Sequence, residues 1–245
     1  DPNHVFGGSC WQSDLSEVTI GVSTLAGISF NGCSNLSKLT ITDGARGIAN
    51  FQGCSSLTSV TFPDSVKLID GNTFGGCSKL KEVTFGNSDI LIYDNAFAGC
   101  SALTTITFGS KETFLRSSVF AGCSSLKTIN WGNGRVIFKS SCFASTGLET
   151  LSIPTSVKVI PRSSFAGCTE LKSVEFSDGI VYIGSQAFGG CAVIEIDIPS
   201  SVRFINSDAF KGCSKLQTIR VHTPKNYISY APWGAENATV VWDSE

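Results

Sequence analysis

Polar and apolar positions alternate in short bursts along this chain, and each burst predicts a strand. In Leu80-Lys81-Glu82-Val83-Thr84-Phe85, period two puts Val83 and Phe85 on one side and Glu82 and Thr84 on the other. The same alternation returns at Val60-Thr61-Phe62, Ile129-Asn130-Trp131, Leu151-Ser152-Ile153 and Val174-Glu175-Phe176. A turn follows each, carried by Pro63-Asp64, Gly86-Asn87, Gly132-Asn133-Gly134, Pro154-Thr155 or Ser177-Asp178-Gly179. A second apolar run comes next, as in Val66-Lys67-Leu68-Ile69 or Val202-Arg203-Phe204-Ile205, and predicts another strand. One turn of helix is expected after it, ending at the glycine before each cysteine, where a left-handed cap fits.

The bursts keep phase. Phe74-Gly75-Gly76-Cys77-Ser78, Phe97-Ala98-Gly99-Cys100-Ser101 and Phe120-Ala121-Gly122-Cys123-Ser124 recur every 23 residues. The opening phenylalanine runs through Phe6, Phe30, Phe51, Phe74, Phe97, Phe120, Phe143, Phe165, Phe188 and Phe210, with Trp233 in phase. A period of about 20–50 residues marks a solenoid, whose rungs bury their apolar faces only by stacking. The expected fold is a mostly β, right-handed solenoid of about eleven rungs, with short strands, turns and single helical turns. It forms one domain over 1–245, with parallel rungs about 4.8 Å apart in a curved rod on the order of 50 Å long. Residues 1–29, with Trp11 and Val18-Thr19-Ile20, are expected as an N-terminal cap holding a degenerate repeat. Residues 222–245, with Tyr227, Tyr230, Trp233, Trp242 and a closing strand over 238–242, are expected as the C-terminal cap.

The unit resembles the leucine-rich repeats of the Treponema or BspA-like type. Leu171-Lys172-Ser173-Val174-Glu175-Phe176 and Ile183-Gly184-Ser185-Gln186-Ala187-Phe188-Gly189-Gly190-Cys191 carry the resemblance, as do Leu148 to Pro154 and Val157 to Ile160. It spans about residues 30 to 221. It implies a non-enzymatic protein-interaction module, adhesin-like, binding a host protein of the extracellular matrix or serum, or an envelope protein. It also implies a secreted, cell-surface or periplasmic location. A structural, self-assembling envelope protein is the competing class.

Composition narrows the chemistry. Lysine plus arginine number 18 against 20 acids, a net charge of −2, which makes no electrostatic case for nucleic acid. No run approaches the ~18 apolar residues of a membrane span. The two histidines, His4 and His222, fall about ten rungs apart and cannot meet in one triad. Glu175, Glu195 and Asp197 read as solvated acids rather than an acid/base pair. Eight of the ten cysteines (Cys33, Cys54, Cys77, Cys100, Cys123, Cys168, Cys191 and Cys213) fill one slot of successive repeats, with Thr146 standing in once. A slot that accepts threonine reads as a reduced, buried ladder of small side chains. Cys142 falls in a small core slot and Cys10 in the N-terminal cap. No Cys-x-x-Cys or cysteine–histidine cluster occurs, so neither metal nor cofactor is expected.

Two surfaces emerge. The concave strand face carries Thr84, Thr107, Asn130, Ser152, Glu175, Asp197 and Arg220 in one column and Glu195 in its neighbour. Its acidic end is expected to engage a basic segment of a protein partner. The second surface comes from Leu68, Leu91, Phe114, Ile137, Val159, Tyr182 and Phe204, each one residue before a core position. In the resembled family this slot is usually polar. If the segment is extended, the column faces outward as an apolar stripe suited to self-association; if irregular, both columns turn inward.

Overall fold

The computed structural model describes residues 14–21, 28–225 and 227–244. The sequence features at His4, Phe6, Cys10 and Trp11 lie outside them. Two strand columns run along the molecule. The first comprises β1 (Glu17–Ile20), β2 (Lys38–Ile41), β4 (Ser59–Thr61), β6 (Glu82–Thr84), β8 (Thr105–Thr107), β10 (Thr128–Asn130), β12 (Thr150–Ile153), β14 (Ser173–Phe176), β16 (Glu195–Ile198), β18 (Thr218–Pro224) and β19 (Thr239–Ser244). The second comprises β3 (Gly47–Ile48), β5 (Leu68–Ile69), β7 (Ile90–Ile92), β9 (Thr113–Leu115), β11 (Val136–Phe138), β13 (Val159–Ile160), β15 (Tyr182–Ile183) and β17 (Phe204–Ile205). Within each column paired strands are parallel and in register, as in Thr61↔Thr84↔Thr107↔Asn130. Eleven strands in the first column make about ten full turns of a β-solenoid, as the repeat count anticipates.

The helical turns expected after the second strands are not there: among the described residues these segments are successive β-turns. In one turn, Gly75 N donates to Asn72 O at 2.9 Å and Cys77 N to Phe74 O at 3.1 Å. Phe74 N and Gly76 N instead donate forward to Ala96 O and Ala98 O of the next rung, at 2.7 and 2.8 Å. A donor committed to the neighbouring rung is lost to an i→i−4 bond, so stacking displaces helix. Asn72 (φ 56°) and Gly76 (φ 70°) also sit in the left-handed region, which ends helical progression twice within five residues.

The core is built of stacked rings. Phe74–Phe97 and Phe97–Phe120 centroids lie 5.1 and 5.2 Å apart with planes within 8° and 11°, and every repeat phenylalanine from Phe51 to Phe210 is fully buried. Burying each ring contributes on the order of 1.5–3 kcal/mol, which no rung achieves unless its neighbours cover both ring faces. Trp233 continues the column, fully buried, with its indole N–H on Ser229 O at 2.7 Å. The nine described cysteines are unpaired and buried. From Cys54 onward the thiols of the repeated slot donate to the phenylalanine carbonyl one rung back, for example Cys100 Sγ to Phe74 O at 3.1 Å. Each carbonyl thus receives a thiol as well as a main-chain N–H, except that of Phe143, which takes the Thr146 hydroxyl beside the Cys168 thiol; the shared acceptors hold the side chains parallel rather than facing one another.

Neither column is continuous. The first divides between β2 and β4, β10 and β12, and β14 and β16. Each division follows a shortened turn: two residues are missing before Phe51, and one each around Thr146-Gly147 and Ala192-Val193. The second column stays paired across two of these deletions, β3 with β5 and β15 with β17, and divides only between β11 and β13.

Candidate interaction surface

The two outward faces are where this fold presents side chains. On the first column, burial alternates strictly: Val60 and Val83 are inside, while Ser59, Thr61, Glu82 and Thr84 are exposed. Asn130, Ser152, Glu175 and Asp197 are likewise exposed, and Thr107 and Arg220 are half-buried. One side chain is shared along this row, Asn130 Nδ2 donating to Thr107 Oγ1 at 3.1 Å.

The acidic end is less acidic than its composition suggests. Asp197 lies opposite Arg220 across β16 and β18, one position from Glu195 on the same face. The guanidinium reaches both, at 2.7 Å to Glu195 and 3.7 Å to Asp197. The Arg220 hydrogen bond and charge hold the Glu195 carboxyl below the usual carboxylate range. Of the three acids expected at this end, Glu195 and Asp197 form one cluster of net charge −1 with Arg220, and Glu175 stands apart from it.

At the division between β10 and β12 this face opens into a notch of about 320 Å³, lined by Lys127, Ile129, Trp131, Thr150, Leu151 and Ser152. No main-chain hydrogen bond between described residues crosses it. It is bridged by Trp131 Nε1 donating to Ser152 O at 2.9 Å and by the Lys127–Glu149 ion pair at 2.7 Å. Ile129 is half-exposed here, whereas its equivalents Val83 and Ile106 are buried. Sequence reading missed this feature. Its signal was the one-residue deletion beside Thr146.

The second column resolves the open question about the stripe. Ile69, Ile92, Leu115, Phe138, Ile160, Ile183 and Ile205 are buried, while Leu68, Leu91, Phe114, Ile137 and Tyr182 are half-buried and Val159 and Phe204 exposed. The segment is extended, so successive residues must point apart. Tyr182 and Phe204 stack at 5.3 Å, and a groove of about 450 Å³ runs beside Leu91 and Phe114, flanked by Lys67, Glu112 and Arg116. Basic side chains crowd the middle of this face, a grouping that sequence reading also missed because the near-zero net charge conceals it. Among the described residues no group of three or more His, Cys, Asp or Glu is placed to hold a metal ion, and no helix is long and apolar enough to cross a membrane.

Comparison with solved structures returns leucine-rich repeat proteins. The Treponema pallidum leucine-rich repeat protein is 22% identical with a TM-score of 0.54, over 82% of this chain and 78% of that one. A Bacteroides ovatus leucine-rich repeat protein is 20% identical with a TM-score of 0.46, over 93% of this chain and 84% of that one. A leucine-rich cell surface protein of Faecalibacterium prausnitzii is 20% identical with a TM-score of 0.38, over 82% of this chain and 84% of that one. Curated proteins give no match. The sequence profile of the BspA type leucine rich repeat region matches in six copies, over residues 4–127, 47–162 and 136–232. With nearly its whole length covered by that profile and its stacked rungs built as described, the chain belongs to the BspA-type leucine-rich repeat family.

Proposed function

We propose that this protein is a non-enzymatic, adhesin-like protein-interaction module that acts outside the cytoplasm: secreted, on the cell surface or in the periplasm. The observation that carries the reading is the in-register column Thr61, Thr84, Thr107 and Asn130, with Ser152 and Glu175 continuing it beyond the notch. Short side chains in register over many turns present a surface that a partner can cover without ordering long flexible groups. The notch beside Trp131 adds a recess for one apolar side chain, the kind of anchor that dominates interface energetics. Membership of the family supports a protein partner, and host extracellular-matrix or serum proteins are the first to test. Glu175 and the net charge left on the Glu195–Asp197–Arg220 cluster favour a basic segment of that partner at the C-terminal end.

The test is binding of the purified chain to a panel of immobilised matrix and serum proteins. Saturable binding to one of them is expected. Thr84→Arg with Thr107→Arg should abolish it, while Ser78→Arg on the turn edge should leave it unchanged. Replacing Glu175, Glu195 and Asp197 with alanine should weaken it at low salt. A panel with no saturable partner, or a partner indifferent to Thr84 and Thr107, would overturn the assignment.

A further inference from the structure

The second face carries a charge pattern that its apolar column alone does not explain. Within residues 111–162, its strands and flanking turns hold Lys111, Arg116, Arg135, Lys139, Lys158 and Arg162 against the single acid Glu112, in a chain of net charge −2. Arg135 pairs with Glu112 at 3.2 Å and Arg116 with Asp94 at 3.7 Å. The other four have no carboxylate partner among the described residues, and all are exposed. They are not scattered. Lys139 lies over the Phe114 ring at 5.5 Å, and Arg135 and Lys158 line the same shallow groove as Ile137 and Val159. The central part of the apolar column is therefore bordered by cations on both sides, on the paired strands β9 and β11 and across the division between β11 and β13.

We infer that the surface formed by Phe114, Ile137 and Val159 with Lys139 and Lys158 docks an acidic segment of a protein partner, one that alternates apolar and carboxylate side chains. It is a second site, independent of the threonine face. Carboxylates of such a segment meet the unpaired cations while its apolar residues cover the column, and Val159, 47% exposed, has the most to gain from cover. A second copy of this chain fits poorly. A two-fold that buried the whole column would centre on Ile137, its middle residue, and press Arg135 and Lys139 toward their own copies or toward each other. A sulfated polysaccharide would satisfy the cations and leave the apolar column uncovered.

The experiment titrates the intact chain with three probes: a short peptide of alternating leucine and glutamate, an oligoglutamate of equal charge, and a heparin oligosaccharide. The alternating peptide should bind best and lose affinity at least about tenfold with Lys139→Glu plus Lys158→Glu, and again with Phe114→Ser plus Val159→Ser. Raising salt from about 0.1 to about 1 M, which shortens the Debye length from ~10 to ~3 Å, should weaken it further. Circular dichroism melting checks that each variant folds; if the charge reversal does not, Lys139→Gln plus Lys158→Gln supplies the same reading. Three results overturn the inference: heparin binding that exceeds the peptide's and survives the serine variants; a wild-type dimer in sedimentation that those variants dissociate; or peptide affinity unmoved by either pair.

Discussion

The buried thiols offer the sharpest quantitative test of the packing. Cys77 and Cys123 are fully buried, and desolvation, the largest influence on each, pushes both thiols up to about 12. A free cysteine near 8.5 is about a quarter thiolate at pH 8, whereas a thiol at 12 is ~10⁻⁴ thiolate. The reactive fraction therefore falls by ~10³ before access is considered, and full burial requires the rung to open first. Treating the native protein with iodoacetamide at pH 8, without reductant, should leave Cys77 and Cys123 unmodified, and denaturant should expose both. Mass spectrometry of the digested protein counts the labels. The same burial fixes a pH dependence. These thiols keep their proton in the fold and release it near 8.5 when unfolded, so the unfolded chain binds fewer protons above that pH. Their contribution is complete below about pH 8.5 and is lost progressively toward 12, at about 1.4 kcal/mol per pH unit for each thiol. Rapid labelling of Cys77 or Cys123 in the native state, or stability that is flat between pH 9 and 11, would refute the reasoning.

Two further outcomes test other parts of the structure. Phe97 stacks on Phe74 and Phe120 and meets Phe62 and Phe85 edge-on at 6.3 and 6.0 Å, so Phe97→Ala should cost about 3–5 kcal/mol in urea denaturation; a loss below about 1 kcal/mol would mean that the rungs collapse around the gap. Arg220→Ala should let the Glu195 carboxyl rise back toward its ordinary range in an NMR titration, leave the melting temperature unchanged because the cluster is exposed, and strengthen binding of basic peptides at low salt. An unmoved Glu195 titration would show that the ion pair does not persist in solution.

What the linear chain determined by itself is the phase of the solenoid. A strand has period two and a repeat has period 23, so Val83 inward and Thr84 outward follow once Phe74, Phe97 and Phe120 are seen to recur. The outward direction of Leu68 and Phe114 was legible only conditionally, since it required that the second segment be extended. Tertiary structure decided the rest, because the rest depends on which residues of different rungs become neighbours. Phe74 N and Gly76 N bond to the next rung, and that contact, invisible in local propensity, replaces the expected helical turn. Arg220 reaches Glu195 and Asp197 because β18 lies beside β16, some two dozen residues away in the chain. Lys139 and Lys158 share the apolar face with Phe114 only because stacking brings residues of successive repeats side by side, so charges dilute in the sequence become concentrated on the surface.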